Sequence, residues 1–166
     1  MIIRLEGPGD IRGIEHVHIA AFANHPYSKQ TEHLIVNALR AGGALTVSLV
    51  AEMDGEVVGH VAFSPVQIDG HDCPWFILGP VGVLPERQRR GIGRALVREG
   101  LDAIRSLGAQ GCVLVGDPAY YSRFGFANNP RLVLEGVPAR YFLCLAMAEP
   151  VPRGAVSHHA AFTVTA

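Results

Sequence analysis

Residues 78–96 read LGPVGVLPERQRRGIGRAL, and the reading of this stretch decides the fold. Apolar, strand-forming residues from Leu78 to Leu84 run into a Pro85-Glu86 turn, then into an arginine-rich loop with Gly91 and Gly93, and without pause into a helical pattern. In that helix Ile92, Ala95, Leu96, Ala103, Ile104 and Leu107 share one side, Arg94, Arg98, Asp102 and Arg105 lie elsewhere, and Gly108 ends it. Glycine lets a ligand approach the main chain closely, and a helix N-terminus carries about half a positive charge. The loop is therefore suited to hold a diphosphate on backbone N–H groups. Arg87, Arg89, Arg90, Arg94 and Arg98 lie in and just beyond it with no acid among them, adding charge-assisted contacts. Two common phosphate motifs are excluded. Leu96 stands where the dinucleotide fingerprint needs Gly or Ala, and the single lysine, Lys29, does not follow a glycine as a Walker-type loop requires.

Immediately upstream, Gly79, Pro80 and Gly82 interrupt the strand. Proline has no N–H to give to a ladder, so pairing should fail locally through a bulge or a splayed edge. Splaying would leave unpaired backbone groups at Gly79 to Val83, which an extended, amide-bearing ligand can use as an added strand would. A diphosphate cradle adjoining a free strand edge calls for a molecule with a diphosphate at one end and amides along its length.

Working outward, the periodicity predicts a strand at 2–5, a helix from Asp10 to about Phe22 with Ile11, Ile14, Val17 and Ala21 inward, and a second helix capped by Ser28 and running to about Arg40. Strands follow at 45–53 and 56–68 around an Asp54-Gly55 hairpin turn, then a reversal over 69–74 and a fourth strand from Trp75 to Leu84. Tight connections make these antiparallel. After the long helix, Cys112 to Val115 is a short apolar strand of the kind buried beside a parallel neighbour. Asp117-Pro118 opens a short helix ending at Gly125, and 131–134 and 140–148 are the last strands. Residues 149–166, with Pro150, Pro152 and Gly154, read as a tail packing over the body. The expectation is one α/β domain over 1–166: a mixed sheet of about seven strands, antiparallel in its N-terminal half, parallel across the central crossover helix, and splayed between the fourth and fifth strands.

Composition narrows the function. A net charge of -1 gives no bulk attraction to nucleic acid or anionic membrane, so anion binding must be local. No apolar run approaches the ~20 residues that span a bilayer and the N-terminus lacks a signal-peptide pattern, so a cytoplasmic location is expected. Cys73, Cys112 and Cys144 form no CxxC pair, and His71-x-Cys73 and His158-His159 are two-residue matches without a second pair; no metal is expected. Cys112, mid-strand, reads as inert core.

These residues resemble the GNAT superfamily of N-acetyltransferases, whose acyl donor is acetyl-CoA. The signature [Q/R]-x-x-G-x-[G/A] is met by Gln88, Gly91 and Gly93, with Val83-x-Pro85-Glu86 ahead of it, and Tyr121 to Phe126 (YSRFGF) resembles the family's Y-x-[K/R]-x-G-F. Together with GDPAYYSRFGF, the central stretch is closest to a bacterial branch of predicted N-acetyltransferases. The resemblance implies that the main chain around Val81, Gly82 and Val83 holds pantetheine amides, that Gln88, Arg89, Arg90, Gly91, Ile92, Gly93 and Arg94 wrap the diphosphate, and that Tyr121 points at the CoA sulfur. It departs in two places: Asp117 replaces an asparagine that often contacts pantetheine, and the glutamate that several members carry early in the fourth strand aligns near Ile77. Homodimers are frequent in the family. The implied reaction is direct acetyl transfer, in a ternary complex, to a primary amine on a small molecule, amino acid, peptide or protein terminus. A non-catalytic acyl-CoA sensor is the rival.

Amide formation from a thioester needs a neutral amine, a stabilised oxyanion and a protonated leaving thiolate. Deprotonating an alkyl ammonium of pKa about 10.4 costs near 4.6 kcal/mol at pH 7, whereas an α-amino group of pKa about 8 costs about 1.4. A base therefore matters most for the first. Tyr121 suits the general acid, since an ordinary phenol is protonated at neutral pH. The Val81 N–H suits the carbonyl oxygen. For the base, Glu32, His60, His71 and Asp72 are candidates, with a water chain as the alternative.

Overall fold

The computed structural model describes residues 1–166. Strands β1 (Ile2–Leu5), β2 (Val47–Met53), β3 (Glu56–Ile68) and β4 (His71–Val83) pair consecutively and antiparallel. Two Asp-Gly turns set the hairpins: Asp54 and Gly55 have φ of 53° and 77°, Asp69 and Gly70 of 51° and 76°, the conformation that a two-residue hairpin requires. The second reversal is thus tighter than expected, and β4 begins at His71 rather than Trp75. Helices α1 (Ile11–Phe22) and α2 (Glu32–Ala41) precede β2. Thr31, not Ser28, occupies the position before α2; the Ser28 hydroxyl instead lies 2.9 and 2.8 Å from the two carboxylate oxygens of Glu32.

Helix α3 (Ile92–Ser106) carries the chain from β4 to β5 (Gly111–Val115), which pairs parallel with β4, as the apolar run at 112–115 predicts. A four-residue helix α4 (Pro118–Tyr121), β6 (Leu132–Val133), β7 (Phe142–Ala146) and β8 (Gly154–His158) complete the chain. The sheet order is β1-β2-β3-β4-β5-β7, with β8 on β3 and β6 on β8. There are eight strands, in line with the expected count of about seven. The tail does not merely cover the body: Val156 pairs with Ile68, the Asp69 N–H donates to the Ala155 carbonyl, and the Ala155 N–H donates to Asp69 Oδ1, both at 2.8 Å. GAVSH carries no run of β-branched residues, so only the vacant edge of β3 beyond Phe63, where β2 stops, makes it a strand.

Side-chain alternation gives the sheet two distinct faces. Phe63 points to α3, whereas Ala62 and Val50 cluster with Ile14 of α1 and Val36 of α2. The central core joins β2, β3 and α3 to Leu114, Phe126 and Leu143 from the C-terminal half. The α3 contact is tight at Gly100, where an added Cβ would sit 2.1 Å from the fully buried Phe63 ring. Mid-helix Gly to Ala normally stabilises by about 1 kcal/mol. Here Gly100→Ala should instead destabilise by roughly 1–3 kcal/mol through overpacking, measured as a lower urea midpoint at unchanged slope.

Candidate active site

The β4–β5 ladder is short. It comprises Trp75 with Gly111, Phe76 with Cys112 and Ile77 with Val113, and then the strands part. Beyond that point β5 stays paired to β7 through Leu114 and Val115, and β4 stays paired to β3 through Val81, Gly82 and Val83. The cause lies at Gly79-Pro80. Between the pairs Val61–Val81 and Phe63–Leu78, three steps along β4 match two along β3, a bulge at the residue that has no N–H, with Gly79 at φ 145°. The local failure of pairing expected there takes both forms, a bulge on the β3 side and a splayed edge on the β5 side.

The polarity of the open edge follows from one bond. The Leu84 N–H donates to the Val58 carbonyl at 2.9 Å, so strand alternation turns the N–H groups of Val81 and Val83 to the side that β5 has left. The Val83 carbonyl on that side accepts from the Gln88 side-chain amide at 3.0 Å, which ties the loop to the end of the strand. Gln88 thus works by shaping the loop.

Past a single 3-10 turn at Pro85–Arg87, Arg89 (φ 64°) and Gly91 (φ 82°) reverse the chain into α3. The first helical bond runs from the Ala95 N–H to the Gly91 carbonyl, 3.0 Å, leaving the N–H groups of Ile92, Gly93 and Arg94 without helical acceptors. No side chain caps them and no acid lies in the first turn. Arg89, Arg90, Arg94 and Arg98 are exposed and none is in a salt bridge. A Cβ built on Gly91 would meet nothing within 4 Å, so the cradle is open. Three uncapped donors, a helix dipole and unpaired guanidiniums together are suited to hold an anion.

Across the gap, Asp117 caps α4, its Oδ1 accepting from the Ala119 N–H at 2.9 Å, while the side chain remains exposed. The Tyr120 hydroxyl lies 3.6 Å from the Cβ position of Gly93, beside the anion site, with the Arg123 guanidinium 4.3 Å over its ring. Tyr121 packs on the central core, close over Gly116 and edge-on to Phe126 at 6.2 Å. Tyr121 and Phe124 both pack against this core. Burial, with Tyr120 as a smaller cause, pushes the Tyr121 phenol up to about 12.

The candidate bases separate. His71 and Asp72 are exposed at the far end of β4, eight residues from Gly79 for His71, or about 26 Å along a strand, and Asp72 accepts from Gln67 at 2.9 Å. That distance removes both. Glu32 is held by Ser28 in the turn before α2. His60 is fully buried and sits opposite Gly82 in the β3–β4 register. Ile77, at the position of the family glutamate, is buried core and the last β4 residue paired to β5. Sequence reading missed His18 of α1, which is fully buried over Gly82; its only signal was a histidine adjoining the apolar stripe of Ile14, Val17 and Ala21. No group of three or more His, Cys, Asp or Glu side chains is placed to hold a metal, and no helix is long and apolar enough to cross a membrane.

The profile of the Acetyltransferase (GNAT) domain matches residues 45–128, from just before β2 to just past α4. This chain belongs to the GNAT family. It is 42% identical over 127 residues, 76% of this chain and 73% of the relative, to the uncharacterized N-acetyltransferase YhbS of Escherichia coli K12. A GNAT family acetyltransferase from Brucella melitensis, crystallised with acetyl-CoA, superposes with TM-score 0.88 at 53% identity over 97% of each chain. E. coli YhbS in complex with CoA superposes with TM-score 0.89 at 36% identity over 98% of this chain and 92% of that one. The GNAT fold accounts for the mixed sheet and for the opening between β4 and β5.

Proposed function

We propose that this GNAT protein transfers the acetyl group of acetyl-CoA to a primary amine, on a small molecule, amino acid, peptide or protein terminus, by direct transfer in a ternary complex. The observation that carries this reading is the adjacency of two binding surfaces. The unpaired β4 edge at Val81 and Val83 leads straight to the uncapped, arginine-flanked N-terminus of α3. Their order along the chain matches a ligand with amides at one end and a diphosphate at the other, and the Brucella and YhbS complexes support the same choice of ligand.

The residues fit acetyl-CoA. Ile92, Gly93 and Arg94 N–H groups, with Arg89 and Arg90, hold the diphosphate; the Val83 backbone holds a pantetheine amide; the Val81 N–H polarises the carbonyl oxygen. Bound acetyl-CoA supplies an activated thioester. Tyr121, held protonated by burial, gives its proton to the departing sulfur.

Calorimetry with acetyl-CoA, joined to a free-thiol assay over an amine panel, tests the proposal: binding with amine-dependent thiol release supports it. Binding without release would leave only an acyl-CoA sensor, and equal displacement by ADP and by desulfo-CoA would leave only a nucleotide binder. Gly91→Ala and Gly108→Ala, at positive φ and in open space at opposite ends of α3, should each lose about 1–2 kcal/mol of stability. Only Gly91→Ala should also weaken acetyl-CoA binding, by about tenfold. Tyr121→Phe should lower kcat by about 10²-fold with KM for acetyl-CoA little changed. Because burial raises this phenol to about 12, the wild-type rate should show no alkaline fall from Tyr121 ionisation below about pH 11.

A further inference from the structure

A chain of polar side chains crosses the molecule beneath the open edge. His18 Nε2 lies 2.8 Å from His60 Nδ1, and His60 Nε2 lies 2.7 Å from Ser48 Oγ. Ser48 Oγ donates to Glu6 Oε1, and Arg40 holds the same carboxylate through bonds of 2.8 and 3.0 Å. His18, His60 and Ser48 are buried. Glu6 reaches the wall of a surface cavity of about 310 Å³, lined also by Arg40, Thr46 and Ser48. The chain thus runs from the interior at Gly82 to solvent behind α2.

Its direction is set from the Glu6 end. A carboxylate paired with arginine only accepts, so Ser48 must donate to it. Ser48, its one proton committed, must accept from His60 Nε2–H. His60 Nδ1 is then a bare lone pair and must accept from His18 Nε2–H. Each step leaves one choice, and the last leaves His18 Nδ1 unprotonated. That atom is buried and has no hydrogen-bond partner. It lies 3.0 Å from where a Cβ of Gly82 would be, so no side chain stands between it and the backbone linking Val81 to Val83. Opposite faces of β4 meet there: Val83 is turned toward Gly93 of α3, and Gly82 toward His18 and Ala21 of α1.

We infer that His18, His60, Ser48 and Glu6 form a proton relay that takes the proton from the acceptor amine at His18 Nδ1 and delivers it to Glu6 and the cavity behind α2. The inference rests on the acetyl transfer proposed above and supplies the base for which Ile77 leaves no glutamate. An alkylammonium acceptor first gives one proton to His18 Nδ1, directly or through one water, and the neutral amine then attacks, its N–C bond forming as the C–S bond breaks. His18 releases its Nε2 proton to His60, His60 its own to Ser48, and Ser48 its own to Glu6, which loses it to solvent. The sulfur takes the Tyr121 proton, and the proton that the nitrogen sheds as the amide forms restores Tyr121 through solvent. Burial keeps both imidazoles neutral: it lowers His18 well below the usual histidine range, helped by His60 and His33, and His60 to about 3, helped by Arg40. Neither ring traps a proton in transit, which suits carriers rather than stores.

Two measurements on the full-length protein test the relay. Long-range ¹⁵N–¹H NMR at neutral pH should find His18 and His60 both neutral and both protonated on Nε2. A proton on His18 Nδ1, or a charged ring, would overturn the inference. In steady-state assays, His18→Gln, His60→Gln and Glu6→Gln should each lower kcat for an alkylamine by about 10²-fold, while a hydrazide already neutral at the assay pH changes by less than about threefold. Equal losses with both acceptors, or no loss with the alkylamine, would overturn the relay while leaving acetyl transfer intact. Should a variant unfold, the NMR result on the wild type decides. Wild-type protein that binds acetyl-CoA yet acetylates no amine would instead overturn the proposed function, and the relay with it.

Discussion

The end of the β4–β5 ladder after Ile77 and Val113 is the constraint on which the site depends. A parallel pair continued for six more residues would satisfy every backbone group of β4 and leave no edge for a ligand. Proline at position 80 and the bulge at Gly79 stop it, while β3 on one side and β7 on the other keep each departing strand in place. The exposed amides are therefore held by ladders on their far sides. This rigidity is what lets them be left unpaired without the strand fraying.

Opening the sheet also gives the two faces of β4 different work. On the α3 face Val81 and Val83 lead to the uncapped helix N-terminus and to the two tyrosines, groups suited to anion binding and to proton donation. On the α1 face Gly82 abuts His18, whose unpartnered nitrogen ends a buried polar chain. An absent side chain matters on both sides of this account. Any Cβ at position 82 would press on the imidazole, and any β-branched residue at position 91 would strain the turn into α3. In the proposed mechanism, acid and base thus approach one strand from opposite faces, which keeps proton delivery and proton removal separate.

Much of this was legible because it is written in local chemistry. The Asp54-Gly55 turn, the Gly91 entry to α3 and the missing N–H of Pro80 are properties of single residues, and the structure bears out each where the pattern predicts it. Less local features were misread. Residues 154–158 become a strand because β3 outruns β2, a fact of relative strand length. His71 shares the fourth strand with the open edge but lies at its wrong end, since a strand moves about 3.3 Å with each residue.

His18 marks the boundary most clearly. By itself the sequence determined the anion loop, the breach in the fourth strand and the family signature, because each depends on which backbone conformations and donors a residue permits. It could not determine that residues 6, 18, 48 and 60 touch, since they come from four separate segments and a buried histidine looks the same in sequence whether partnered or not. Only the packing of α1 across β3 and β4, and of β2 beside them, brought these groups within hydrogen-bond range. The orientation of each bond was then decided by one carboxylate, through the count of protons that its neighbours have to give.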